Sequence, residues 1–274
     1  MRQEKRPEFL RRKQERKGKG KMKELEEGAI VETTTVKKIR RALDNTLKNS
    51  QMGFIFGQTG RGKTYAAKDW MKSHPEAVYL RIDSGITLAR LRREMSYLLF
   101  GHEGAVLREI AAEIAGRRDF LLIVDEAAHL FSENSTSRTA RNLDFIRDIF
   151  DRVNENGGRC GVCFIFTDCD IRKLTCGRMA GFLGQFVGRM ENHLDIPSKI
   201  SRAYEINPVL RAYGLPDSFQ ETAYRIACGS GRMRTLYKCL GLGLKASKRI
   251  GKEISPEFLQ SVADQIMTGR FPDE

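Results

Sequence analysis

Lys63 and Thr64 close the run GFIFGQTGRGKT (53–64). Their distance from Gly57 and Gly62 gives the full spacing G-x-x-x-x-G-K-[ST]. An ammonium, a hydroxyl and several glycines in one short turn suit one chemistry, the gripping of a polyphosphate. Gly57, Gln58, Thr59, Gly60, Arg61 and Gly62 line the turn, and its glycines let backbone N–H groups converge on phosphate oxygens. The following helix, with Tyr65 in its first turn, adds the positive end of its dipole. Lys63 would reach the β- and γ-phosphates, and the Thr64 hydroxyl would hold Mg²⁺. These residues predict a nucleoside triphosphate site, with ATP and Mg²⁺ as its cofactors.

A second constellation lies at FLLIVDE (120–126), where an apolar strand ends in two carboxylates. Asp125 would hold the Mg²⁺ through water, and Glu126 would orient and deprotonate an attacking water. A carboxylate pair at the end of a buried strand favours hydrolysis over simple binding. The strand ending FIFTDCD places Thr167 or Asp168 where ATPases built on this plan sense the γ-phosphate. A plain cap of the strand end is the simpler use of either residue. In GSGRMRT (229–235), Arg234 is the candidate to reach the γ-phosphate from a lid, with Arg232 as the fallback. In FVGRMENHLDI (186–196), Arg189 is the candidate finger into a neighbouring subunit's site, and Arg178 is the weaker alternative.

Positioning these groups requires alternating strands and helices. A helix is expected over 32–49, with Val36, Ile39, Leu43 and Leu47 on one face. Strands are expected up to Phe56 and at 77–82, 119–124 and 160–167, with a last one at 202–206. Helices are expected at 87–99, 104–116 and 139–154. The runs DFLLIV and CGVCFIF are apolar throughout, as strands buried on both faces of a parallel sheet should be. After residue 206 only helical segments remain, near 207–213, 217–228, 231–249 and 255–268. The chain therefore divides into an arm at 1–28, an α/β core at 29–206 and a helical lid at 207–274.

Composition bounds the partners. The formal charge is +13, and residues 2–23 hold eleven Lys or Arg against three Glu. Such a block gives salt-sensitive affinity for DNA phosphates that is independent of base sequence. A solvated tail is the simpler alternative. Arg90, Arg92 and Arg93, after the second strand, and Arg138 and Arg141, in a polar loop at 132–142, are further candidate DNA contacts. No run of 18 apolar residues and no apolar leader core occur, which points to a cytoplasmic protein with no membrane partner. The six cysteines, including the pair Cys160 and Cys163, lack a second pair at zinc spacing and read as reduced, mostly buried thiols.

Taken together, GQTGRGKT, LLIVDEAAHL, FVGRMENHLDI and GSGRMRTLYKCL resemble the AAA+ ATPases over roughly residues 30–268. Within them the chain is most similar to the branch of the phage Mu B transposition protein and the TnsC-type regulators. The resemblance implies an α/β P-loop NTPase fold with a parallel sheet and a C-terminal helical lid. It implies an ATPase that assembles as a homo-oligomeric filament or ring on double-stranded DNA, and that recruits or stimulates a transposase. The chain departs from that branch in having a charged arm where Mu B has a helix-turn-helix domain, and Asp168 where Asn is usual. Two other readings fit the same motifs: a helicase loader acting in replication, and a nucleotide-switched DNA scaffold without turnover.

Overall fold

The computed structural model describes residues 29–131, 136–167, 188–251 and 253–268. The arm at 1–28, Asp168 and Arg178 lie outside the described residues.

Two compact units account for the described chain, one of them Thr35–Ser198. Its elements run α1 (Thr34–Asn49), β1 (Met52–Phe56), α2 (Lys63–Met71), β2 (Ala77–Arg81), α3 (Leu88–Phe100), α4 (Leu107–Ala115), β3 (Phe120–Asp125), α5 (Thr136–Glu155), β4 (Cys160–Phe166) and β5 (Met190–Asp195). The strands form one parallel sheet in the order β2-β3-β4-β1-β5. Every residue of β3 and β4 is buried. That is the pattern of central parallel strands covered by helices on both faces, and it explains their unbroken apolar runs.

The register positions the chemistry. Phe56, the last residue of β1, pairs with Phe166, and Val124 of β3 pairs with Phe164. The carboxyl ends of β1 and β3 therefore flank the end of β4, and a ligand on the turn after β1 faces the tips of both neighbours. Open parallel sheets bind their ligands at this edge. The turn is anchored from behind by α1 and α2. Arg40 Nη2 donates to Asp69 Oδ2 at 2.6 Å, and Trp70 Nε1 donates to Asp44 Oδ1 at 2.7 Å.

The second unit holds the described residues from Lys199 onward together with 29–34. It contains α6 (Asn207–Ala212), α7 (Gln220–Cys228), α8 (Met233–Ile250) and α9 (Pro256–Thr268). Leu236, Cys239, Leu240 and Leu244 of α8 pack with Ala223 and Ile226 of α7 and Leu259 and Ala263 of α9. Spacing at three, four and eight residues puts the α8 set on one face.

Two sequence expectations need correction. Residues 202–206 form a π-helical turn (Arg202–Ile206), and the last strand is β5. Reciprocal capping decides the first point: Ser201 Oγ accepts from the Tyr204 N–H at 3.3 Å, and Glu205 Oε2 accepts from the Ser201 N–H at 3.0 Å. This local pattern starts a helix, whatever the strand propensity of Tyr204 and Ile206. MENHLD, at the sheet edge, is fully buried only at Met190 and so carries no apolar run that marks a strand. The second correction concerns 132–142. Residues from Thr136 onward belong to α5, so Arg138 and Arg141 lie in its first two turns. Thr139 and Asn142 are buried and extend the face of Leu143 and Ile146, with Asn142 Nδ2 donating to the Ile86 carbonyl at 3.3 Å. The helix expected over 139–154 thus gains the polar residues 136–138, which carry no apolar period to read.

Candidate active site

The turn after β1 is built for an anion. Gly60 and Gly62 have φ of 79° and 82°, the left-handed region that other residues enter only at a cost. A Cβ at Gly57 would stand 2.7 Å from the Ile196 Cβ, so this glycine lets the turn lie against the end of β5. Nothing lies within 4 Å of a Cβ built at Gly62, whose demand is one of backbone angle alone. Lys63 is buried, and its Nζ donates to the carbonyls of Gly57 and Gln58, the latter at 3.0 Å. A polyphosphate would replace those carbonyls as the acceptor of the ammonium. Gln58 Oε1 is buried with no hydrogen-bond partner among the described residues, a polar atom left for a ligand or a water. Thr59 and Tyr65 are exposed, while Arg61 is buried in the turn.

Thr64, in the first turn of α2, meets Asp125 at the end of β3. Thr64 Oγ1 donates to Asp125 Oδ2 at 2.7 Å, joining residues 61 apart in sequence. Asp125 is 2% exposed, and its Oδ1 accepts the backbone N–H of Glu126 at 2.9 Å. A hydroxyl and a carboxylate in direct contact form the hard-oxygen donor set that suits Mg²⁺. The residues present fit an Mg²⁺–nucleotide.

Glu126 has φ 54° and ψ 37°, left-handed for a residue with a side chain. The strained turn ends β3 and starts a 3₁₀ turn at Ala127–Leu130. Its carboxylate is half-buried and makes no hydrogen bond or ion pair to a described residue. A carboxylate free of hydrogen bonds to described residues, beside an aspartate able to hold a cation, can accept a proton from water. Thr167 follows the last residue of β4, at the tip flanked by the turn and by Asp125.

The AAA domain family matches residues 44–174. Over 118 residues the chain is 31% identical to the Mu-like prophage FluMu DNA transposition protein B of Haemophilus influenzae, a match covering 39% of each protein. Residues 44–174 are thus similar to the AAA domain family, and part of the chain is similar to a Mu-like transposition protein B. The matched region thus spans about two fifths of the length of that curated relative. Among solved structures, the Aeropyrum pernix ORC2 protein in its ADPNP–ADP complexes is similar with a TM-score of 0.60 and 17% identity. That match covers 86% of this chain and 68% of that one. A Walker-type ATPase of Pyrococcus abyssi is similar with a TM-score of 0.63 and 14% identity, over 88% and 73% of the two chains. At those identities the likeness is one of fold.

In the α/β unit, Lys63, Thr64, Asp125 and Glu126 come together. Arg189 sits immediately before β5 and lies 3.6 Å from Asp151 of α5. Arg234 is exposed in the first turn of α8, in the helical unit. Arg90 pairs with Asp83 at 2.5 Å, Arg93 lies 3.7 Å from Glu103, and Arg92 stacks over Phe145 of α5 at 5.7 Å. Through Arg92–Phe145 and Asn142–Ile86, α3 and the start of α5 are neighbours, so the two arginine groups share one region of the core. Cys160 and Cys163 are buried in β4, and three residues apart on a strand they point to opposite faces.

Sequence reasoning missed Tyr79. Its hydroxyl donates to Asp125 Oδ2 at 2.6 Å, and burial together with this carboxylate pushes its phenol well above the usual range. Tyr79 pairs with Ile123, two residues short of Asp125 on the same face of β3. Only the register shows the diagonal, which an aromatic side chain is long enough to span.

Proposed function

We propose that the protein is an ATP-hydrolysing, DNA-binding regulator of transposition that assembles on duplex DNA. The observation that carries the nucleotide half of this reading is the direct contact of Thr64 with Asp125, with Glu126 adjoining. Lys63 binds the β- and γ-phosphates. Thr64 and Asp125 hold Mg²⁺, which when bound neutralises charge developing on the transferred phosphoryl group. Glu126 orients the attacking water and takes its proton. Thr167, at the tip of β4, or Asp168 senses the γ-phosphate. Arg234 acts from the lid (207–274), and Arg189 from a neighbouring subunit of a filament or ring.

Transposition enters through the likeness to the Haemophilus protein, whose name is that of a DNA transposition protein. The net charge of +13 supports a polyanionic partner. The basic arm (1–28) and the region of Arg90, Arg92, Arg93, Arg138 and Arg141 grip DNA phosphates, without reading bases. The assembly then recruits or stimulates a transposase in the cytoplasm. No described helix is long and apolar enough to cross a membrane.

The test is phosphate release from ATP with and without duplex DNA. Magnesium-dependent release that rises on adding duplex supports the reading. Release below the blank under both conditions removes hydrolysis from it and leaves a nucleotide-switched scaffold.

A further inference from the structure

A side chain outside the sequence motifs, Tyr79, is hydrogen-bonded to the carboxylate of Asp125. Asp125 Oδ2 accepts two hydroxyls, from Thr64 at 2.7 Å and from Tyr79 at 2.6 Å, while Oδ1 accepts the Glu126 N–H at 2.9 Å. Both hydroxyl contacts lie within the ordinary O–H···O range. They approach from different elements, α2 and β2. Tyr79 is itself fixed, because the Lys68 ammonium lies over its ring, 4.9 Å from the centroid. Lys68 follows Thr64 by one helical turn, so one face of α2 supplies both a donor to Asp125 and a clamp on the second donor.

We propose that Tyr79 is a positioning residue for Mg²⁺: it fixes the plane of the Asp125 carboxylate so that Thr64 and Asp125 meet the metal preset. This rests on the nucleotide-site reading above and adds a residue from the edge strand to it. Without the Tyr79 hydroxyl, Oδ2 keeps a single side-chain donor, and the carboxylate regains freedom to turn about its Cβ–Cγ bond. Ordering it then falls to metal binding itself, which weakens that step. The phosphate grip of the turn and Lys63 does not pass through Tyr79 and is untouched.

The experiment is equilibrium binding of a fluorescent ATP analogue to the full chain and to Tyr79→Phe, titrated with MgCl₂ and repeated in EDTA. Phenylalanine keeps the ring under Lys68 and removes only the hydroxyl. The expected result is a rise of about ten- to a hundredfold in half-saturating Mg²⁺, as for loss of an outer-shell partner of a metal ligand. Affinity in EDTA and turnover at saturating Mg²⁺ should both stay within about twofold, since a group that only orients the ligand is bypassed once metal saturates. An unchanged Mg²⁺ midpoint overturns the proposal. So does an equal loss of affinity with Mg²⁺ and in EDTA, which would make Tyr79 a support of the fold. If the unmutated chain binds no nucleotide in Mg²⁺, the nucleotide reading fails and takes this inference with it. A chain that binds normally but shows no Tyr79 effect removes the inference alone.

Discussion

Replacing Glu126 by Gln tests the hydrolytic role with little risk to the fold. The Glu126 carboxylate makes no hydrogen bond or ion pair to a described residue, so its loss should change stability by no more than about 0.5 kcal/mol. The left-handed backbone at φ 54° is equally costly for Glu and Gln, so the strain stays constant. A general base contributes on the order of 10²–10⁴ in rate. A fall of about 10²–10³ in kcat, or roughly 2.7–4 kcal/mol in the barrier, is therefore expected. Nucleotide affinity should be retained, because Lys63, Thr64 and Asp125 are untouched. Steady-state phosphate release, nucleotide titration and a melting curve separate the three quantities. Glu126→Gly is the companion: relief of about 1–2 kcal/mol of left-handed strain, less about 0.5–1 kcal/mol of glycine entropy, leaves a small gain in stability with turnover still lost. A Gln variant that turns ATP over at the unmutated rate would refute the assignment of Glu126.

Glycine positions give opposite stability results. Gly161→Ala puts a methyl 2.6 Å from the Thr46 carbonyl behind β4 and should cost about 2–3 kcal/mol in chemical denaturation. Gly241→Ala, in open space within α8, should instead gain about 0.5–1 kcal/mol in the same assay. Burial pushes the Cys160 and Cys163 thiols up to about 12, so at pH 8 iodoacetamide should label exposed Cys228 and spare both, as read by peptide mass spectrometry. The sign follows: neutral buried thiols stabilise fully below the unfolded thiol value near 8.5, and that contribution is lost as pH rises through about 12. Denaturation midpoints between pH 7 and 11 check the alkaline loss. An inactive Arg189→Ala chain mixed equally with inactive Glu126→Gln should recover about a quarter of unmutated turnover, if one subunit's arginine serves its neighbour's site.

The sites most legible in the sequence were those where backbone demand and chemistry coincide. Gly57, Gly62, Lys63 and Thr64 announce a phosphate turn because few other residues can make one. Asp125 and Glu126 stand out because carboxylates seldom end a strand as apolar as FLLIV. What stayed hidden depended on tertiary pairing. Tyr79 reads as one more aromatic in a strand, and its contact with Asp125 appears only with the β2–β3 register. The helix expected from 139 starts three residues earlier, at Thr136, because Thr136, Ser137 and Arg138 are polar and carry no apolar period. β5 is an edge strand of mixed polarity with no apolar run, and the Ser201–Glu205 capping pair lies among residue types that favour a strand.

The central claim is that bound ATP governs the grip on DNA. Fluorescence anisotropy of a labelled duplex of arbitrary sequence, measured with Mg²⁺ at fixed salt, compares affinity with and without a slowly hydrolysed ATP analogue. The account predicts tightening of at least about tenfold with the analogue, an effect that weakens steeply as salt rises. The same affinity in both conditions would contradict it.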